Sequence, residues 1–193
     1  MRRVLTSRTF LTWVLIIAIV NLVLFTVQRY VAVPMSVPSA SMEPVLKGGD
    51  RILVQRTHAS ASKLARTIER GDVIVFRAPE AGHPLVVKRV IGLPGESIQA
   101  VDGLIAIDNS KVLAETWLPD RITDRGTAAA KSVDIKRTKL GAHEVFVMGD
   151  NRAHSIDSRE YGPVDLADVV GTTSLRFWPP TRLGMIKGTV PLP

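Results

Sequence analysis

No cysteine occurs anywhere in the 193 residues. That single absence removes disulfides, thiolate catalysis and cysteine-ligated zinc. It also suits a chain exposed to an oxidising space, where a stray thiol could mispair. Aromatic residues are scarce, at 5% against 46% hydrophobic residues overall, so the apolar content is mostly aliphatic. Acidic residues are missing from the first 30 positions, which hold Arg2, Arg3, Arg8 and Arg29. The rest of the chain carries 21 basic and 18 acidic residues, a net of +3 out of a formal +7. So balanced a domain lacks the Lys/Arg excess of a nucleic-acid binder, and no nucleic-acid partner is expected. Motif absences narrow the chemistry further. No H-E-x-x-H spacing is found, and Gly48-Gly49-Asp50 lacks the Lys-Ser/Thr ending of a phosphate loop. Neither a metal nor a cofactor is expected.

What the sequence does have, first of all, is a long apolar run. Residues 10–27 read FLTWVLIIAIVNLVLFTV, 18 positions with no charge and one amide, Asn21. A membrane-spanning helix needs about 20 apolar residues. Continuing to Tyr30 and Val31 reaches that length, with Arg29 able to snorkel toward the interface. Trp13 and Tyr30 stand near the two ends, where amphipathic rings settle. Arginines precede the run, and the positive-inside bias gives the orientation. The expectation is a cytoplasmic segment over 1–9, a single-pass signal anchor in the plasma membrane over 10–31, and an extracytoplasmic domain over 32–193. A cleavable signal peptide has an apolar core of about 7–15 residues and a small-x-small site. Val31-Ala32-Val33 offers no such site. A buried core helix would be apolar along one stripe and not all round.

Beyond Val33 the texture changes to short β-type runs broken by Gly, Pro and Asp. Strands are expected at 51–56 (RILVQR), 72–76 (DVIVF), 85–91 (LVVKRVI), 97–101, 104–107, 144–148 (EVFVM) and 169–177. Asp102-Gly103 between two apolar runs signals a two-residue hairpin, since Gly accepts the positive φ that such turns need. Residues 60–70 suggest a short surface helix. The stretch 112–142 is charged and poor in long apolar runs, and reads as a small insertion. No internal repeat is found. The fold class is mainly β, a barrel or a pair of sheets.

Three segments could carry chemistry, and each has a plain alternative. Pro38-Ser39-Ala40-Ser41-Met42-Glu43-Pro44 is a loop of restricted backbone, or simply a Ser/Pro linker. In LVVKRVI, alternation puts Val86, Lys88 and Val90 on one face and Val87, Arg89 and Ile91 on the other. Either a cation is accommodated inside or the strand lies at an edge. A lysine buried among valines would be desolvated, its pKa would fall from about 10.4 toward neutrality, and its amine could take a proton from a serine hydroxyl. Residues 149–159 (GDNRAHSIDSR) are dense in hydrogen-bonding groups, as a solvated loop also would be.

In order along the chain, PSASMEPVL with GDRILVQR, RGDVIVF, VVKRVIGLPGE with the Asp102-Gly103 turn, and GDNRAHSIDSREYGPV resemble the successive boxes of bacterial type I signal peptidases. The similarity covers nearly all of 10–180. It implies a signal-peptidase-type β-sheet or barrel catalytic domain behind one transmembrane helix. The implied activity is a membrane-bound serine endopeptidase that removes signal peptides from exported precursors with a Ser/Lys dyad. It further implies Ser41 as nucleophile, Lys88 as general base, and Ser39 with the Ser41 N–H as oxyanion hole. Ser155 would orient the lysine, Asp157 and Arg159 would brace the site, and Met42 would line the substrate groove. The implied partners are signal-peptide-bearing precursors, the lipid bilayer and the export machinery. Two departures touch no such position: Ala153-His154 where the family often has Asp-Asn, and Val45 where it has Thr. The rivals are weaker. A Ser-His-Asp hydrolase built on His154 with Asp150 or Asp157 would lack the G-x-S-x-G elbow. A tethered scaffold would not need Ser41, Lys88 and Ser155 together. A self-cleaving serine–lysine regulator would carry a DNA-binding domain, and none is visible.

Overall fold

The computed structural model describes residues 7–30, 32–101, 104–108, 111–113, 115, 118 and 134–186. The chain divides into two compact units, Met1–Val33 and Pro34–Pro193.

The first unit is dominated by helix α1, Ser7–Tyr30, of 24 residues, roughly 36 Å at 1.5 Å per residue. Its large apolar side chains between positions 10 and 23 are 43–65% exposed, because they are arrayed on every side of the helix. The Asn21 amide donates to the Ile17 carbonyl at 2.8 Å, and the Thr26 hydroxyl to the Leu22 carbonyl at 2.7 Å. Side chains of this helix are described at 9–23 and 26. Among the described residues no helix is long and apolar enough to cross a membrane.

The second unit is mainly β and holds two sheets. The larger runs β1 (Ala32–Ser36), β2 (Arg51–Arg56), β11 (Val169–Trp178), β3 (Val73–Arg77), β4 (Leu85–Gly92), β9 (Glu144–Met148), β10 (Val164–Asp165), with β12 (Gly184–Met185) paired to β11. The smaller runs β7 (Lys111–Val112), β6 (Leu104–Ile107), β5 (Ser97–Val101), β8 (Ile135–Lys139). β2 alternates as its sequence dictates, with Ile52 and Val54 buried and Leu53 and Gln55 exposed. β3 is apolar and buried over its first four positions, Val73–Phe76, because both faces are covered there, and ends on the exposed Arg77. Val73 and Val75 join one core with Met42, Leu46, Ile52, Val54 and Val87, while Ile74 and Phe76 join another with Leu64, Val90, Val147 and Val164. A third core lies under the small sheet, where Ile98, Ile105, Ile107 and Ile135 meet Ile91, Phe146 and Met148. Gly171 is required where β11 crosses β2, since a Cβ there would overlap the Gln55 carbonyl.

The strands expected at 51–56, 97–101, 104–107 and 144–148 have those bounds; those expected at 85–91 and 169–177 run one residue further, and the one expected at 72–76 is displaced by one residue at both ends. The surface helix expected over 60–70 is only one turn, α2 (Ala61–Leu64), capped by the Ser60 hydroxyl accepting from the Lys63 N–H at 3.4 Å. Asp102 and Gly103 lie outside the described residues, but Val101 pairs with Leu104 across them. Most of 112–142 lies outside as well. Its described end, Ile135–Lys139, is a strand of the small sheet paired with β5.

Candidate active site

Ser41 sits on a single 3-10 turn, Ala40–Met42, with Ser39 as its N-cap. The turn is anchored from both sides. Asp50 accepts the Lys47 N–H at 2.8 Å and pairs both carboxylate oxygens with Arg182 Nη1 at 2.8 Å. Arg182 Nη2 also reaches the Pro44 and Val45 carbonyls at 3.3 Å. Below, Met42 and Leu46 fill the core and leave Ser41 only 8% exposed. A Ser/Pro linker would bury nothing, so that reading of 38–44 is excluded.

Lys88 lies on β4 between β3 and β9, in register with Ile74. The edge-strand alternative therefore fails. The side chain is buried, and its Nζ donates to Ser41 Oγ at 2.7 Å, within reach for direct proton transfer. Among the described residues it forms no ion pair. Burial, which disfavours the ammonium, pulls its pKa below the ordinary lysine value. Asp157, Glu80 and Asp150 oppose that fall, and Arg159 adds to it.

The 149–159 loop closes over this pair. Asn151 donates its N–H to the Ser41 carbonyl at 3.0 Å and its side-chain amide to the Ala40 carbonyl at 3.2 Å. Gly149 makes the approach possible, since a Cβ there would overlap Ser155 Oγ and the Ser41 carbonyl. Asp157, fully buried, caps helix α3 (Ser158–Tyr161). It takes Arg159 in two parallel bonds, Nε to Oδ1 and Nη2 to Oδ2, both at 2.8 Å, and accepts the Gly149 N–H at 2.9 Å. Burial alone would raise the Asp157 pKa, but the Arg159 bonds and charge and the Gly149 N–H outweigh it and hold the carboxyl below its ordinary range. The neighbouring Ser155 hydroxyl pulls the same way, yet it reaches no acceptor in hydrogen-bond geometry. Arg159 Nη1 also donates to the Arg152 carbonyl at 2.7 Å.

Two expected placements differ. Ser155 Oγ is buried without a hydrogen-bond partner, so the anticipated bond to Lys88 is not formed; the amine is directed at Ser41 instead. Met42 is fully buried, because the tight turn that presents Ser41 aims the next side chain into the core. It supports the serine from below and cannot line a groove. Ser39 is in place, its Oγ 3.1 Å from Ser41 Oγ and accepting the Ser41 N–H at a long 3.5 Å. His154, by contrast, is exposed and contacts Asn151 at 3.3 Å, and His143 contacts Ser62 at 3.0 Å. Neither faces Ser41, so the triad alternative has no base. The sequence did not disclose three ion pairs around the site, two of them buried and the last partly so: Arg89 with Asp150, Arg152 with Glu115, and Arg182 with Asp50. Only the first has both partners in quoted boxes, where charge complementarity between boxes was the available signal; the other two have one partner each in a box, Arg152 and Asp50.

The arrangement is a shielded hydroxyl, a desolvated amine bonded to it, and two donors beside them, which suits acyl transfer. Residues 10–178 match the family model described as signal peptidase, peptidase S26. Signal peptidase IB of Staphylococcus aureus is 32% identical over 182 residues, covering 90% of this chain and 92% of that one. Probable signal peptidase I-2 of Synechocystis sp. is 32% identical over 165 residues, covering 83% of this chain and 69% of that protein. A crystal structure of a signal peptidase I from Enterococcus faecalis V583 is 29% identical, with a TM-score of 0.46 over 54% of this chain and 95% of that one. With a match this long and relatives this similar, the chain belongs to the signal peptidase family, peptidase S26, serine endopeptidases that remove signal peptides from secreted precursor proteins.

Proposed function

We propose that Ser41 is the nucleophile of this endopeptidase and Lys88 its general base, and the observation that carries this is the 2.7 Å bond between a buried lysine amine and a serine hydroxyl. The neutral amine takes the Ser41 proton as Oγ attacks the scissile carbonyl. The resulting ammonium passes that proton to the leaving amine, and an acyl-enzyme remains. The amine then activates water to release it. The Ser39 hydroxyl and the Ser41 N–H stabilise the oxyanion; at rest they are held by each other through a weak 3.5 Å contact, readily exchanged for a charged oxygen. Ser155 orients the lysine once the Ser41 bond is broken, while Asp157 and Arg159 keep the loop rigid.

The setting is a membrane. The uncharged run over 10–27, the 24-residue helix that contains it and its all-round apolar surface support an anchor over 10–31. The arginines before it favour, by the positive-inside bias, an orientation with 1–9 in the cytoplasm and 32–193 outside the plasma membrane. Precursors delivered by the export machinery would share that bilayer, which brings the scissile bond to the site without a three-dimensional search.

The test is cleavage of a precursor carrying an Ala-x-Ala site, in liposomes, by the full chain and by Ser41→Ala. Cleavage after the second alanine should occur with the first and vanish with the second. A variant that still cuts would move the nucleophile elsewhere.

A further inference from the structure

Among the described residues, the segment that follows β7 reaches the catalytic loop through one side chain, Glu115. Arg152 holds Glu115 in a forked pair, Nη1 to Oε2 at 2.7 Å and Nη2 to Oε1 more closely still. The two side chains are only 2% and 6% exposed, so water screens neither charge. Arg152 uses its remaining nitrogen, Nε, on the Gly149 carbonyl at 3.0 Å. Its own carbonyl accepts from Arg159 Nη1 at 2.7 Å. Gly149 in turn donates to Asp157, and Asn151 donates to the Ser41 carbonyl. Every one of these bonds runs from Arg152, or from a residue bonded or adjacent to it, into the frame around Ser41 and Lys88.

We propose that Glu115 is a positioning residue of the reaction: by neutralising and aiming Arg152, it keeps the 149–157 loop seated on the Ser41 turn. This rests on the Ser41–Lys88 reading. A buried guanidinium without its carboxylate must find another. Besides Glu115, the acids that face Arg152 are Asp150 and Asp157, and both are already committed, to Arg89 and Arg159. Freed from Glu115, Arg152 competes for them and loosens the frame. The consequence reaches the lysine, because the charged groups that face Lys88 are Asp157, Glu80, Arg159 and Asp150. Drawing Asp150 or Asp157 toward a third cation removes part of what favours the ammonium form of Lys88. The amine then becomes neutral at lower pH, while its aim at Ser41 deteriorates.

The experiment measures kcat and KM against pH for the full chain in liposomes, with Glu115→Gln, Glu115→Asp and thermal unfolding of each. Glu115→Gln should lower kcat by about 10- to 100-fold, the scale of a 1 Å misplacement, with KM within about twofold. Its acidic limb should move to lower pH. Glu115→Asp, which keeps the charge, should recover most of kcat and return the limb toward the wild-type position. Ser41→Ala run alongside should be inactive; residual cutting there condemns the dyad reading, independently of Glu115. The proposal is overturned if Glu115→Gln keeps both kcat and the limb, or if its loss merely follows the unfolded fraction.

Discussion

Lys88 and Arg89 are neighbours on β4, 4% and 0% exposed, and they point to opposite sides of the strand. Arg89 is fully compensated. Asp150 takes Nε at 2.8 Å and Nη2 at 2.7 Å, and the Gly71 carbonyl takes Nη1 at 2.7 Å. Lys88 has a serine hydroxyl and more distant acids. One strand therefore buries a cation in two ways, with opposite results. A forked counterion locks the charge in place and makes it part of the framework. Burial without one leaves the proton only loosely held, which is what a base needs. The inert member also serves the reactive one, because Arg89 tethers Asp150 at the head of the loop that covers Lys88.

The largest effect should come from removing the labile side. Lys88→Met removes the proposed base and should lower turnover by roughly 10⁴-fold or more. Thermal stability should stay level or rise, since an apolar side chain of similar length replaces a buried, poorly paired amine. A lysine variant that melts early would show that Lys88 belongs to the framework too. Arg89→Met should do the reverse. It strands Asp150 in the interior at a cost of about 3–5 kcal/mol, lowering the melting point by roughly 6–20 °C, with activity lost in step with the fold. If Arg89→Met instead stayed folded and merely slow, the contrast between the two cations would collapse.

How legible this contrast was in the sequence depends on the scale of the feature. LVVKRVI showed two cations within an apolar run, and periodicity placed them on opposite faces. It could not say whether the strand lay at an edge, because that depends on β9 arriving from about fifty positions away to pair along the far side of β4. Long strands with clear alternation, such as β2, were readable to the residue. β10 and β12, two residues each, have no period to read. β8 (IKRTK) has one apolar residue, Ile135, and is a strand only because β5 offers it a partner. That Lys88 would meet Ser41 and Asp157 would pair with Arg159 was legible through the order of the boxes. The packing direction of Met42 and the free hydroxyl of Ser155 were not, since both are decided by tertiary contacts around a turn. Nor was Arg182, which lies beyond the boxes and acts through Asp50.

The smallest predicted effect separates the two kinds of burial by pH alone. Lys88 has a folded pKa below its ordinary 10.5. At low pH both folded and unfolded chains carry the ammonium, and the burial penalty is present in full. As pH rises from the lowered folded value toward 10.5, the unfolded chain binds more protons than the folded one, so this residue's contribution to stability improves. Asp157 behaves oppositely at the acid end. Its folded pKa lies below 3.8, so its stabilisation is present above that value and is lost as pH falls through the folded one. Comparing denaturant midpoints of the wild type and Lys88→Met across pH should therefore show a gap in favour of the variant. That gap should be widest below the lowered lysine pKa and close by about 10.5, while both proteins lose stability alike in acid. The acidic limb of wild-type activity should fall where the gap begins to close, because one proton governs both. A gap that stayed constant with pH would mean that Lys88 keeps an ordinary proton affinity, and the strand would then bury two framework cations and no base.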